Sequence, residues 1–407
     1  MKQLCLSVIL MLIVVGCGKK NEEVRLSMFK DDIQFLNQHV NVVLLADATR
    51  QAQVAICPQY QGRVMTSTAS GDDGISFGWI NRDLIASGEN NPHINAFGGE
   101  DRFWLGPEGG QFSIFFKQGD PFDLQHWFTP PAINEEAYDM VMQSDEAVLF
   151  RKTMRLVNYS GATFDLEVNR AVRLLNQKLV RQIMGLEVPE KVKMVAFQSD
   201  NRITNVGQNA WEKETGALSI WILGMFNPSP KTTVVIPFKK GFEDELGPVV
   251  NDAYFGKVPE DRLVIRDEVL FFKGDGQYRS KIGISQRRAK PIMGSYDAEN
   301  RILTLVQCQI PEEELPYVNS MWELQSNPYS GDALNSYNDG PPAPGQKPLG
   351  PFYELESSSP AAFLRPTETM GHMHSTAHFI GDPDDLDMLA QAALGVTLKE
   401  IANAFEK

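Results

Sequence analysis

TFDLEVNRAVRLL, Thr163 to Leu175, alternates apolar and polar residues almost without a break. A period of two puts every second side chain on the same face of a strand, so this stretch reads as one strand of a sheet with a buried face and a wetter one. The stretch before it, AVLFRKTMRLVNYS (Ala147 to Ser160), is another run of strand character.

Working outward, the pattern recurs. VNVVLLAD, FSIFFK, MVAFQSDNRITNVG, GALSIWILGMF, TTVVIPF, LVIRDEVLFFK, RILTLVQCQI and FYELESS are short runs rich in Val, Ile, Phe and Leu, bounded by Gly, Pro, Asn and Asp. So many strands with so little helix between them predict an all-β sandwich or barrel rather than alternating β and α units. A few short helices are expected, most clearly at the end. Asp382-Pro383 opens a run to Leu394, and Thr397 with Glu400 forms a capping box. The longest irregular stretch is Ser326 to Pro351, and loops of that length are usually functional.

The amino terminus carries a different signal. MKQLCLSVILMLIVVGC has a basic start and an apolar run from Leu4 to Val15. That run falls short of the roughly 20 residues a bilayer-spanning helix needs, and it fits the apolar core of a secretion signal. Val14 to Cys17 resembles the bacterial lipobox. The resemblance implies cleavage before Cys17, its lipidation, palmitate included, and a membrane-held lipoprotein at the outer membrane or cell surface. The expected layout is a signal over 1–16, a lipidated tether over 17–30 and one β domain over 31–407. Export leaves Cys57 and Cys308, which allow at most one disulfide.

Composition sets further limits. The net charge is −14, with no cluster of Lys and Arg, so nucleic acid is not an expected partner. No glycine-rich phosphate loop or dinucleotide fingerprint occurs, so no nucleotide cofactor is expected.

Two constellations carry candidate chemistry. GGEDRFWLGPEGG (Gly98 to Gly110) places Glu100, Asp101, Arg102, Trp104 and Glu108 between glycine turns. A flat aromatic face with planar charged groups suits a sugar's C–H surface and vicinal hydroxyls. The bland alternative is an Asp-Arg pair locking a hairpin under a core Trp. In DLQHWFTPP, His126 stands beside Trp127, a pairing suited to a sugar-facing wall or to a structural hydrogen bond. His372, His374 and His378 share one parity and one expected face. Asn338-Asp339-Gly340 is a turn whose loop could cover a cleft.

FYELESSSPAAFLRPTETMGHMHSTAHF, Phe352 to Phe379, resembles the end of the aldose 1-epimerase (galactose mutarotase) pattern. Leu355-Glu356, Pro360, Leu364 to Thr369 and Thr376 to Phe379 occupy the places of that pattern. RLVNYSGATFDLEVNRAVRL and RITNVGQNAWEKETGALSIW resemble its Asn-containing turns, and GGEDRFWLGPEGGQFSIFF resembles an uncharacterised group of exported mutarotase-like proteins. The resemblance implies a β-supersandwich from about Asn41 to Phe379, with Glu356 as the base that takes the anomeric hydroxyl proton. It puts Arg102 near the place of the substrate-binding arginine.

Glu354 shares the face of Glu356. The pattern's general-acid histidine is missing, because GALSIWILGMF has none. His126 is the expected catalytic substitute, with His93, His372 and His374 as alternatives. Arg102, Trp104, Glu100, Glu108, Trp127, Asp339, His372 and His374 are the expected ligand contacts. Two readings follow: a membrane-held enzyme doing acid/base chemistry at a sugar's anomeric centre, or a glycan-binding lipoprotein that has lost catalysis.

Overall fold

The computed structural model describes residues 26–406. The lipobox and Cys17 lie outside that range.

Two antiparallel sheets face each other. The larger has ten strands, and at its centre Ile302–Cys308, Thr369–Ile380, Lys193–Asn205 and Thr163–Leu174 lie side by side. Ala147–Val157 and Asp139–Gln143 complete one flank; Ile292–Asp297, Thr232–Pro237, Val269–Lys273 and Leu263–Arg266 complete the other. The smaller sheet runs Ser280–Ser285, Asp332–Asn338, Tyr353–Ser358, Ser219–Phe226 and Arg102–Gly106. A third sheet of three strands, Val43–Ala46, Gln53–Cys57 and Arg63–Thr68, adds Val54, Ile56 and Val64 to the main core.

Alternation explains the stacking. From the small sheet Phe103, Leu105, Ile220 and Ile222 face Phe150, Leu166, Val168, Val172 and Phe197 of the large one. Further along, Ile282, Ile284, Leu334 and Leu355 meet Val234, Phe272, Met293 and Val306. The large sheet's far face is closed by helices Gln177–Met184, Pro383–Leu394 and Leu398–Ala402, which bury Val180, Leu386, Leu389 and Ile401 on Phe271, Leu303, Leu305 and Phe379. The small sheet's far face carries the candidate site.

The all-β, sheet-on-sheet architecture expected from the sequence is what the chain forms, and its two end helices and capping box fall where expected. Four local expectations are corrected. FSIFFK is a chain of turns, because Ile114, Phe115 and Phe116 are all buried and no strand presents three consecutive side chains to one core. LVIRDEVLFFK is a hairpin of two strands turning at Asp267, whose φ is 46°. Ser326 to Pro351 contains the strand Asp332–Asn338, so the irregular part is shorter. The expected tether runs into the body: helix Phe29–His39 buries Phe29, and Met28 bridges Ile75. Cys57 and Cys308 are free and buried, and burial pushes both thiols up to about 12.

The interlayer is not wholly apolar. Arg170, fully buried, donates to Asp101 Oδ1 at 2.6 Å, Asn201 Oδ1 at 2.5 Å and the Gly62 carbonyl at 3.0 Å. Ser199 donates to the other Asp101 oxygen at 2.8 Å. Removing one partner of a buried pair leaves an uncompensated charge, so Arg170→Ala is expected to cost about 3–5 kcal/mol in urea unfolding. Replacing Asp101 and Arg170 together with Leu and Met should recover most of that. A loss below about 1 kcal/mol for the single variant would show the pair to be solvated.

Candidate functional site

Three rows of side chains cross the open face of the small sheet. Gly283, Asn335, Glu356, Leu223 and Arg102 stand opposite one another, strand to strand. In the next row are Lys281, Tyr337, Glu354 and Met225, and on the far side Trp221 pairs with Trp104. Period-two geometry sends all of these to one face, while Ser357, Leu355 and Phe103 go to the core.

The polar groups form two crossed pairs. Arg102 Nη2 donates to Glu354 Oε1 at 3.1 Å, and its guanidinium lies 4.1 Å from the Trp104 ring centre. Lys281 Nζ donates to Glu356 Oε2 at 2.9 Å, and Trp221 Nε1 donates to the same oxygen at 2.9 Å. Lys281 also lies 4.6 Å from the Trp221 ring centre. Within these pairs three buried atoms have no partner among the described residues: Glu356 Oε1, Arg102 Nε and Arg102 Nη1.

Burial pushes the Glu354 carboxyl up to about 8; Arg102 pulls against this, and Glu356 beside it adds to it. Burial also raises Glu108, against the pull of Lys281. On Lys281 burial works the other way but is outweighed by Glu356 and Glu108, so the ammonium titrates above its usual range.

Above this floor the space has two connected chambers. The inner one, about 90 Å³, is lined by Arg102, Trp104, Trp221, Lys281 and Glu354. The outer one, about 320 Å³, is lined by His93, Trp127, Trp322, Arg279 and Asp339, among others. Ile94, Glu108, Trp127, Phe255, Arg279, Tyr337 and Leu349 border both. An outer chamber of this size is at the lower end of small-molecule sites, about 300–1,000 Å³. Asp339 holds the covering loop: it accepts from Gly350 N at 2.9 Å and Tyr337 Oη at 2.8 Å. Gly350 is needed there, because a Cβ would fall 1.9 Å from the Trp79 ring. Burial raises the Asp339 carboxyl to about 6, against these two donors.

Arg102, Trp104, Glu108, Trp127 and Asp339, expected from the sequence, therefore gather at one cleft, and Glu354 joins them; Glu356, wholly buried, is bonded to the lining residues Lys281 and Trp221 and itself lines neither chamber. The others go elsewhere. Glu100 is wholly buried, accepting from Ser67 N and from His378 Nε2 at 2.9 Å, while His378 Nδ1 meets Thr304 Oγ1. His372 and His374 point between the sheets, each 2.8 Å from Ser357 Oγ. Burial holds them down to about 3 and about 4, so both are neutral. His126 sits in an exposed turn on Asp123, 2.7 Å away, and borders neither chamber. The one expected histidine substitute that reaches the cleft is His93, whose Nδ1 is 2.6 Å from the Trp127 carbonyl.

Lys281, Arg279, Trp221, Trp322 and Phe255 were not singled out from the sequence. Trp221 is visible only as a strand residue of the right parity, and Lys281 stands on a strand, Ser280–Ser285, that the sequence patterns did not single out. Trp322 and Phe255 lie in loops that no pattern ties to the cleft.

Over residues 27–405 the chain matches DUF6786, a family of unknown function, and it belongs to that family. No curated protein matches it. Solved structures similar to it include a putative aldose 1-epimerase from Escherichia coli K12, with 12% identity, 83% of this chain and 99% of that one covered, and a TM-score of 0.49. A galactose mutarotase-like protein from Lactobacillus casei has 11% identity, 83% and 100% coverage and a TM-score of 0.47. The Slr1438 protein from Synechocystis has 14% identity, 83% and 96% coverage and a TM-score of 0.46.

Proposed function

We propose that the cleft binds a sugar and that Glu356 and Glu354 carry out acid/base chemistry at or beside its anomeric centre. The observation that carries this is the set of unpartnered buried atoms on one row of the sheet: Glu356 Oε1 on one side, Arg102 Nε and Nη1 on the other. Buried polar atoms without partners are uncommon, and together these need a ligand that both donates and accepts. A hemiacetal does so, through its hydroxyl and its ring oxygen. Trp104, Trp127 and Trp221 supply apolar walls for the sugar's C–H faces.

Ring opening needs a base on the anomeric hydroxyl and an acid on the ring oxygen. Glu356 Oε1 is the base; its other oxygen is tied to Lys281 and Trp221, which fixes the carboxylate plane. Glu354 supplies the proton, since its environment keeps it protonated up to about pH 8. Two carboxyls in unlike surroundings divide the roles, and no histidine is required. A second reading, a glycan-binding protein without turnover, is favoured by one fact. No histidine borders the inner chamber, where an epimerase of the resembled pattern would place its acid.

NMR exchange between the anomers of a bound hexose separates the two. Glu356→Gln and Glu354→Gln should each slow enzyme-dependent exchange by about 10²–10⁴-fold, the usual worth of a positioned acid or base. Because the Glu354 carboxyl is raised, the rate should fall as pH climbs through about 8, where its proton is lost. Sugar binding with no exchange in the wild type would leave the binding reading in its place.

We also propose that the chain is held at a membrane through lipidated Cys17, on the strength of the lipobox-like VVGC after a short apolar run. Cys17→Ala should move the protein from the membrane to the soluble fraction of its host. A variant that stays membrane-bound would rule the anchor out.

A further inference from the structure

The outer chamber holds an arginine that shares its wall with Glu108 and Asp339 but makes no ion pair with either. Arg279 lies flat on the Phe255 ring, its guanidinium carbon 3.8 Å from the ring centre. Among the described residues it has no ion pair and no side-chain hydrogen bond. The neighbouring acids are already engaged: Asp339 by Tyr337 and Gly350, and Glu108 by the Trp322 indole. Lys347, exposed at the rim, is likewise unpaired among the described residues. His93 is turned onto the Trp127 carbonyl and stacks on Phe128.

This arrangement is unusual in a chain whose net charge is −14. Other buried or half-buried arginines have acceptors: Arg102, Arg170 and Arg262 meet acids, and Arg63 and Arg288 meet amide and carbonyl oxygens. A guanidinium stacked on an aromatic ring has its plane fixed and its hydrogen-bonding edge left free. Such an edge matches a planar, bidentate acceptor.

We propose that Arg279 receives a carboxylate carried by the sugar, so that the ligand class is a uronic acid or a saccharide ending in one. This rests on the sugar reading of the cleft. With the anomeric centre over Glu356 and Glu354 in the inner chamber, the far side of the ring extends into the outer one, where Arg279, Phe255 and Lys347 stand. Carboxylate is favoured over phosphate because the chamber offers one planar fork and a single exposed ammonium. A phosphate dianion would have to sit with Glu108 and Asp339 on the same wall.

Calorimetric titration of the full chain with D-glucuronate and D-galacturonate, beside D-glucose, D-galactose and D-galactose 6-phosphate, tests this. A uronate should bind about tenfold more tightly than its parent hexose, the margin of a charge-assisted over a neutral hydrogen bond. Raising the salt should shrink the margin. Arg279→Gln should abolish the preference, bringing uronate and parent hexose to equal affinity. Arg279→Lys, which keeps the charge but not the fork, should retain part of it.

Equal affinity for uronate and hexose would overturn the carboxylate inference and leave the sugar reading standing. A preference for the 6-phosphate would overturn it as well. Failure of every sugar to bind would overturn both.

Discussion

Arg170 on one sheet and Asp101 at the head of a strand on the other meet at 2.6 Å, fully buried between the layers. An arginine cannot shed its charge, so in a dry interlayer it must be met by acceptors from several directions. Here those acceptors are Asp101, Asn201 and the Gly62 carbonyl. Their positions tie the strand Arg102–Gly106 to the centre of the large sheet. Glu-Asp-Arg then does two jobs by alternation: Asp101 is locked inward, and Arg102 must face outward onto the cleft floor. The site's electrostatics begin at that lock.

On the outer face, the same low dielectric that makes buried charge expensive makes the crossed pairs informative. Arg102 with Glu354 and Lys281 with Glu356 span all five strands of one sheet. Loops do not hold four ionisable groups with that regularity, whereas a pleated sheet does so through its repeat. The pairs leave three atoms unsatisfied, and the roof of Trp127, Phe255 and Leu349 keeps the space above them small. A floor that is polar and incomplete under an apolar roof is what a ligand with a polar rim and apolar faces would complete.

Much of this was readable in the chain. Thr163 to Leu175 announces a half-buried strand, and its observed burial alternates residue by residue. Glu354 and Glu356 share parity on a recognisable strand, so their common face followed, although one neighbour, Asp332–Asn338, lay hidden in a stretch that reads as irregular. Arg102 and Trp104 were placed by the glycine-flanked segment. What remained hidden has one physical cause: a strand's parity says which side chains share a face, but not which face meets water and which meets another sheet. His372 and His374 have one parity, yet that face is the interlayer, where each meets Ser357. Glu100 looked like a ligand group and is instead a buried acceptor for Ser67 and His378. The FSIFFK run failed for a related reason, since a continuous apolar run is also what a buried loop needs.

The claim at the centre is that a sugar enters this cleft and reaches the Glu356 floor. The indole N–H signals of the protein's six tryptophans report on it directly by NMR. Trp221 donates to Glu356, the buried Trp127 Nε1 has no partner, and Trp211 packs far off on Phe164. Titration with sugars should move the Trp221 and Trp127 signals together and leave Trp211 still. Signals that stay fixed for every sugar, or a shift confined to Trp211, would contradict the account.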